Sequence, residues 1–289
     1  QNLLKTFETL NSIEKKATIL LTKWYEKARP KQIIKDEDKY NIYMFLAGRG
    51  WGKTLTGAYD IVQYCLKYPN VICGIIAPTY ADLSKVCFNG ESGIINIIDK
   101  DVLAHKGYNK SSAEIKFYNG SKIIGFPAIE PDRLRGVQFH RAWCDELASW
   151  RYRETFDNLL MALRLGQNPK CIITTTPRPL PLIKELVKRN DVKKITGSTF
   201  ENQDNLAKST IAMLKERYEG TRLGQQELYA EILEDVEGSL FKRDNIDINR
   251  VKIAPDMSKI VVAIDPAVTS NADSDETGIV VVGRGTDDR

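Results

Sequence analysis

Eight residues, Ala47-Gly48-Arg49-Gly50-Trp51-Gly52-Lys53-Thr54, constrain this chain more than any other stretch. Glycines at 48, 50 and 52 let the backbone curl until its N–H groups point inward at an anion, and a following helix adds the positive end of its dipole. In such a loop Lys53 reaches the outer phosphates of a nucleotide, and the Thr54 hydroxyl ligates the accompanying Mg²⁺. The pattern G-x-x-x-x-G-K-[ST] fails only at its first position, where Ala47 stands. The flanks supply the context that the chemistry needs. Residues 41–46 form a mostly apolar run of strand length, and Leu55, Ala58, Tyr59, Val62 and Leu66 recur at helical spacing. Strand, loop and helix in that order predict a phosphate-binding loop rather than a chance glycine-rich turn.

Around the loop lies an ordinary globular composition. The chain has 289 residues, 42% hydrophobic and 28% charged, enough for two domains or one large domain with an appendage. No run approaches the length of a membrane span, and the first residues, with Glu8 and Glu14 among apolar neighbours, do not resemble a signal peptide. A cytoplasmic protein with no membrane partner is expected. Cys65, Cys73, Cys87, Cys144 and Cys171 sit among apolar residues with no C-x-x-C pair, which predicts buried reduced thiols and neither a zinc site nor a disulfide framework. His105 and His140 read as structural or surface groups. A net charge of +4 is compatible with nucleic-acid binding without arguing for it.

Residues 2–27 carry an apolar stripe at helical spacing, followed by Arg29-Pro30-Lys31-Gln32 and a charged loop at 35–39. The Gln32 amide either reads an adenine edge with its donor and acceptor or is simply solvated. Residues 71–77 form a strand ended by Pro78, and the isoleucines between 94 and 103 suggest a helical segment. Residues 114–117 and 122–126 form a hairpin about Asn119-Gly120. Residues 139–144 lead into Asp145-Glu146. A nucleotide hydrolase needs one acid beside Mg²⁺ and a second carboxylate to orient or deprotonate the attacking water, and adjacent residues at a strand end can do both. A further strand closes on Thr174-Thr175-Thr176, which reads as plain β-propensity or as a γ-phosphate sensor. Leu46, Ala77, Asp145 and Thr174 would then place four strand ends on one rim of a parallel sheet, where ligands bind. Beyond Pro177 the chain becomes helical and basic, with a linker-like passage at 237–241. Residues 260–265 form a strand ending in Asp265, with a second strand at 277–283, the way ribonuclease-H-like nucleases present the first ligand of a metal pair.

Taken in order, Ala47 to Thr54, Ala77-Pro78-Thr79-Tyr80, Asp132-Arg133-Leu134-Arg135-Gly136, Asp145-Glu146, Thr174-Thr175-Thr176-Pro177-Arg178, Gly197-Ser198-Thr199-Phe200-Glu201-Asn202 and Asp265-Pro266-Ala267 resemble the large terminase subunit of tailed bacteriophages, the DNA-packaging motor. The resemblance spans nearly the whole chain. It implies an α/β P-loop NTPase of the ASCE type, with a mainly parallel sheet flanked by helices over 1–177. A small helical lid and linker follow over 178–250, then the first strands of a ribonuclease-H-like nuclease over 251–289. It also implies roles: Gln32 contacts adenine, and the loop Gly48, Arg49, Gly50, Trp51, Gly52, Lys53 and Thr54 holds ATP. Asp145 helps hold Mg²⁺, Glu146 is the catalytic carboxylate, and Thr174, Thr175 and Thr176 couple hydrolysis to movement. Either Arg49 in cis or Arg135 offered to a neighbouring subunit serves as the arginine finger. The implied partners are double-stranded DNA, a portal protein, the small terminase subunit and further copies in a ring on the procapsid in the host cytoplasm. Asp265 matches the first Mg²⁺ or Mn²⁺ ligand of the nuclease, whose remaining acids are expected beyond Arg289, so this chain alone is expected not to cut DNA. The competing expectations are a helicase-like or other nucleic-acid-dependent P-loop ATPase, and a nucleotide-binding scaffold without turnover.

Overall fold

The structure is a computed structural model that describes residues 8–35, 38–232, 243–251, 253–266 and 278–286. It divides into two units, residues 1–234 and 235–289. The first is built on an eight-stranded sheet of β1 (Ile42–Ala47), β2 (Ile72–Ala77), β3 (Leu103–Asn109), β4 (Glu114–Phe117), β5 (Lys122–Pro127), β6 (Arg141–Asp145), β7 (Lys170–Thr175) and β8 (Val192–Gly197). Their order is β3-β4-β5-β2-β6-β7-β1-β8. From β5 to β8 every pairing is parallel, and only the β3–β4 and β4–β5 pairings are antiparallel.

Layering explains the strand composition. Every residue of β1, β6 and β7 is buried, as expected of parallel strands covered by helices on both faces. On one face, α1 (Ser12–Lys27) and α2 (Lys53–Lys67) pack over β2 and β6, with the Trp24 ring stacked on Tyr59 at 4.5 Å. On the other, α3 (Arg153–Ala162) and α4 (Pro181–Lys188) close a core of Ile42, Met44, Cys144, Phe156, Ile173 and Leu186. Asn11 opens α1 with a capping box, accepting from the Glu14 N–H at 2.9 Å while Glu14 accepts from its own N–H. All five cysteines are free and buried. Among the described residues, no helix is long and apolar enough to cross a membrane.

Two local expectations need correction. The segment after Pro177 is not helical throughout, because residues 192–197 form β8, the edge partner of β1. The adjacent Lys193 and Lys194 masked the strand pattern, and the main sheet continues past residue 177. Likewise the isoleucine-rich stretch gives only a short helix, Ile94–Ile97, before residues 103–109 add a strand to the hairpin.

Two short helices, α5 (Lys208–Tyr218) and α6 (Arg222–Glu227), complete the first unit. The second unit contains α7 (Arg243–Ile248) and an antiparallel pair, β9 (Met257–Asp265) and β10 (Gly278–Gly285), with Asp265 opposite Gly278. The linker-like passage at 237–241, Thr277 and Ala267 lie outside the described residues.

Gly57 tests the packing of α2 on the sheet. A Cβ there would lie 2.3 Å from the indole of buried Trp143, a rigid ring with no room to yield. Gly57→Ala is therefore expected to destabilise the fold by about 1–3 kcal/mol, outweighing the roughly 1 kcal/mol that alanine gains in helix propensity. Urea unfolding followed by circular dichroism reads this directly.

Candidate nucleotide site

The ends of β1, β6, β7 and β8 lie side by side, and each delivers part of the site. β1 runs into the glycine loop, where Gly50 and Gly52 have φ of 72° and 92°, a left-handed conformation natural to glycine. α2 begins at Lys53. Among the described residues, the backbone N–H groups of Gly50, Gly52, Lys53 and Thr54 make no hydrogen bond within the chain. Unpaired N–H groups at a helix start form a cradle for an anion. The Lys53 ammonium donates to the carbonyls of Ala47 at 2.8 Å and Gly48 at 3.0 Å. Burial lowers its pKa, against the opposing pull of Glu146, Asp145 and Glu227.

β6 ends in Asp145. Its Oδ1 accepts from the Thr174 hydroxyl at 2.8 Å, and the Cys87 thiol faces its Oδ2 at 3.7 Å. Burial pushes its pKa up to about 6, with the neighbouring Glu146 charge adding to the shift and the Thr174 hydrogen bond opposing it. Glu146 follows in the left-handed region at φ 47°, an uncommon conformation for a non-glycine residue that costs on the order of 1 kcal/mol. Such strain collects at functional sites. The sharp turn is secured by the Glu146 N–H donating to the Thr174 carbonyl at 2.6 Å.

The threonine triplet acts on these two acids. Thr174 Oγ1 holds Asp145, while Glu146 Oε1 accepts from the Thr176 hydroxyl at 2.8 Å, the Thr176 N–H at 3.0 Å and the Thr175 hydroxyl at 3.3 Å. These are charge-assisted bonds, stronger than neutral ones. β-Propensity alone does not explain such side-chain placement.

The structure also gives contacts to groups whose motifs were quoted from the sequence without a role in the loop. Thr199 Oγ1 donates to the Arg49 carbonyl at 2.7 Å, Asn202 Nδ2 to the Gly50 carbonyl at 2.7 Å, and the Trp51 indole to Glu201 at 3.1 Å. Trp51 is fully buried, and its ring fills the space that a Cβ on Gly197 would need. Arg29 lies over that ring at 4.9 Å and donates to the Trp51 carbonyl and to Asn202. The segments 29–32 and 197–202 therefore clamp the loop. Their signal lay in the two motifs flanking it, Arg29 to Gln32 and Gly197 to Asn202.

The remaining expected residues fall as follows. Gln32 is buried against the loop, donating to Thr56 Oγ1 at 2.9 Å and accepting from the Arg29 N–H at 3.0 Å. Thr54 occupies the first turn of α2. Arg49 lies at the rim, 74% exposed, with Nε donating to Glu227 at 2.8 Å. Arg135 does not join them: 64% exposed, it pairs with Asp132 and Glu154. Asp265 ends β9 in the second unit. Among the described residues, no cluster of three or more His, Cys, Asp or Glu side chains could by itself hold a metal ion.

Residues 44–248, more than half of the chain, match the family described as terminase large subunit, T4likevirus-type, N-terminal. The chain belongs to this family. No curated protein matches the sequence. Among solved structures, the large terminase ATPase domain of Thermus phage P74-26 is similar, with a TM-score of 0.57 at 16% identity over 73% of this chain and 98% of that one. The large terminase of a thermophilic bacteriophage in complex with ADP gives a TM-score of 0.58 at 15% identity over 93% of this chain and 64% of that one. A second crystal of that protein, with ATP-γ-S, gives 0.53 at 17% identity. The terminase ATPase fold, a mainly parallel sheet flanked by helices, is thereby shared with this chain.

The buried acid gives a pH signature. Asp145 binds its proton more tightly folded than unfolded, so its contribution to stability is full below the ordinary pKa of 3.8 and is lost as pH rises through about 6. Asp145→Asn removes this charge. The variant is expected to melt above wild type at pH 8, with the difference closing below pH 4 in a pH series of thermal scans.

Proposed function

We propose that this chain is the ATP-hydrolysing part of a viral DNA-packaging motor. One observation carries the reading: Glu146, turned out of β6 in a strained conformation, is gripped by Thr175 and Thr176 beside the Lys53 loop. A scaffold that merely held nucleotide would have no use for a second, precisely tethered carboxylate. The solved terminase structures with ADP and ATP-γ-S support a nucleotide in the equivalent fold.

The residues fit ATP and Mg²⁺. The unpaired N–H groups of Gly50, Gly52, Lys53 and Thr54 cradle the phosphates, and Lys53 leaves the loop carbonyls to neutralise them. Thr54 and Asp145 would hold Mg²⁺, which would supply Lewis-acid neutralisation of phosphate charge. A cation beside Asp145 would favour its ionised form against the burial that raises its pKa. Glu146 orients the attacking water and accepts its proton. When it turns toward the water, its bonds to Thr175 and Thr176 loosen, and those threonines pass the change into β7. Gln32 contacts adenine only after its amide leaves Thr56.

Arg49 is the finger within the chain, and Arg135, paired among the described residues with Asp132 and Glu154, is the one presented to a neighbouring copy in a ring. Double-stranded DNA, a portal and the small terminase subunit are the proposed partners, with Asp265 contributing one acid to a nuclease metal site. Host cytoplasm is the proposed place of action. A helicase-like ATPase is the alternative, and stimulation of turnover by single-stranded nucleic acid alone would favour it.

ATP turnover measured against protein concentration tests the reading. Wild type is expected to release phosphate with a rate per chain that rises with concentration. Lys53→Ala should abolish binding and turnover, Arg49→Ala should lower the rate at every concentration by on the order of 10³, and Arg135→Ala should remove only the concentration dependence.

A further inference from the structure

Arg49 is the exposed cation of the loop, and long arginine side chains seldom hold one orientation without a partner. Here the partner comes from α6, more than 170 residues along the chain. The Arg49 N–H donates to the Glu227 backbone carbonyl at 2.9 Å, and Arg49 Nε donates to Glu227 Oε2 at 2.8 Å. The backbone N–H and the Nε of Arg49 are thus both fixed to one residue. The same segment packs on the loop at Gly48, where a Cβ would lie 2.6 Å from the Leu228 carbonyl, and Thr199 ties the Arg49 carbonyl to the Leu228 region through its own N–H.

The form of the contact is informative. A guanidinium withdrawn from use is expected to face a carboxylate with two parallel bonds, as Arg141 does with Asp60 through Nε and Nη2. Arg49 instead spends only Nε on Glu227, and its two terminal amino groups make no described bond. Glu227 is only 15% exposed, and Gln226 donates to its other oxygen at 3.1 Å. Burial raises its pKa, but the hydrogen bonds from Arg49 and Gln226 outweigh that and hold the carboxyl below its usual range. It is a fixed anion. Glu227 also lies within the electrostatic reach of Lys53 and Arg178.

We infer that Glu227 is a positioning residue, which grips Arg49 at Nε so that its two terminal amino groups are presented to the phosphates of bound nucleotide. The inference rests on the ATPase reading above. It assigns to α6 a part in catalysis rather than in covering the site alone. A group that acts in this way lowers the cost of ordering Arg49 at the moment of reaction.

Two measurements test it. In steady-state turnover, Glu227→Ala should lower kcat on the order of 10- to 100-fold with KM for ATP changed by less than about twofold. Glu227→Gln, which keeps an acceptor oxygen, should recover part of the loss. Combined with Arg49→Ala, Glu227→Ala should add no further loss, because its whole effect runs through the arginine. Additive losses would overturn the inference, and so would a lower KM with kcat intact, which would mean that Glu227 withholds the arginine. Independently of turnover, the Arg49 Nε–H resonance, assigned by its absence in Arg49→Lys, should exchange slowly with water in wild type and rapidly in Glu227→Ala. Equal exchange in both would overturn the inference even if the ATPase reading holds. Absence of turnover in wild type with slow exchange present would count against the ATPase reading and leave the pairing standing.

Discussion

β7 is hydrogen-bonded to β6 on one side and to β1 on the other, and this double register sets the whole site. Thr174 stands opposite Asp145, and Thr175 stands opposite Leu46, just before the glycine loop. A slip of one residue would turn the Thr174 hydroxyl away from Asp145 to the far face of the sheet. It would also pull the three donors off Glu146. Unlike side chains packed on the two faces oppose the slip, with Trp143 fitted against Gly57 of α2 on one face and Cys144 and Ile173 packed with Phe156 on the other. Core packing and the geometry of the candidate site are therefore the same constraint.

On that frame the charges are arranged in opposition. Asp145, Glu146 and Glu227 face Lys53 and Arg49, so neither sign accumulates in the site. The arrangement still leaves costs in place. Asp145 is an acid buried deeply enough to resist ionisation, Lys53 a cation buried deeply enough to lose some affinity for its proton, and Glu146 a residue in a left-handed turn. The first two would be relieved by a polyphosphate with its cation. Such unrelieved features are common where a site has been shaped for a ligand rather than for stability.

Much of this was legible in the sequence because the relevant signals were local. The glycine spacing, the apolar run before it and the helical repeat after it specified the loop, and Asn119-Gly120 marked the hairpin turn, with Gly120 at φ 83°. Strand ends at Leu46, Ala77, Asp145 and Thr174 fell on one rim because parallel strands must all point the same way. What stayed hidden depended on long-range pairing. β8 was obscured because Lys193, half-buried over the Tyr40 ring, and exposed Lys194 stand side by side, so the strand has no apolar run to reveal it. Glu227 reaches the loop from more than 140 residues away with no motif to mark it, and the motif that holds Thr199 and Asn202 gave no sign that its side chains grip the loop. The roles of the threonines were open in the sequence because threonine suits any strand; only side-chain contacts separate a tether from a β-former.

The role of Glu146 as the catalytic carboxylate is the claim on which the functional account turns, and hydrolysis by Glu146→Gln tests it most directly. Glutamine keeps the shape and the acceptor oxygen that Thr175 and Thr176 address, while losing the charge needed to take a proton from water. ATP should bind as in wild type, and the phosphate burst should disappear. Retention of both binding and the burst would contradict the assignment of Glu146 as the catalytic carboxylate.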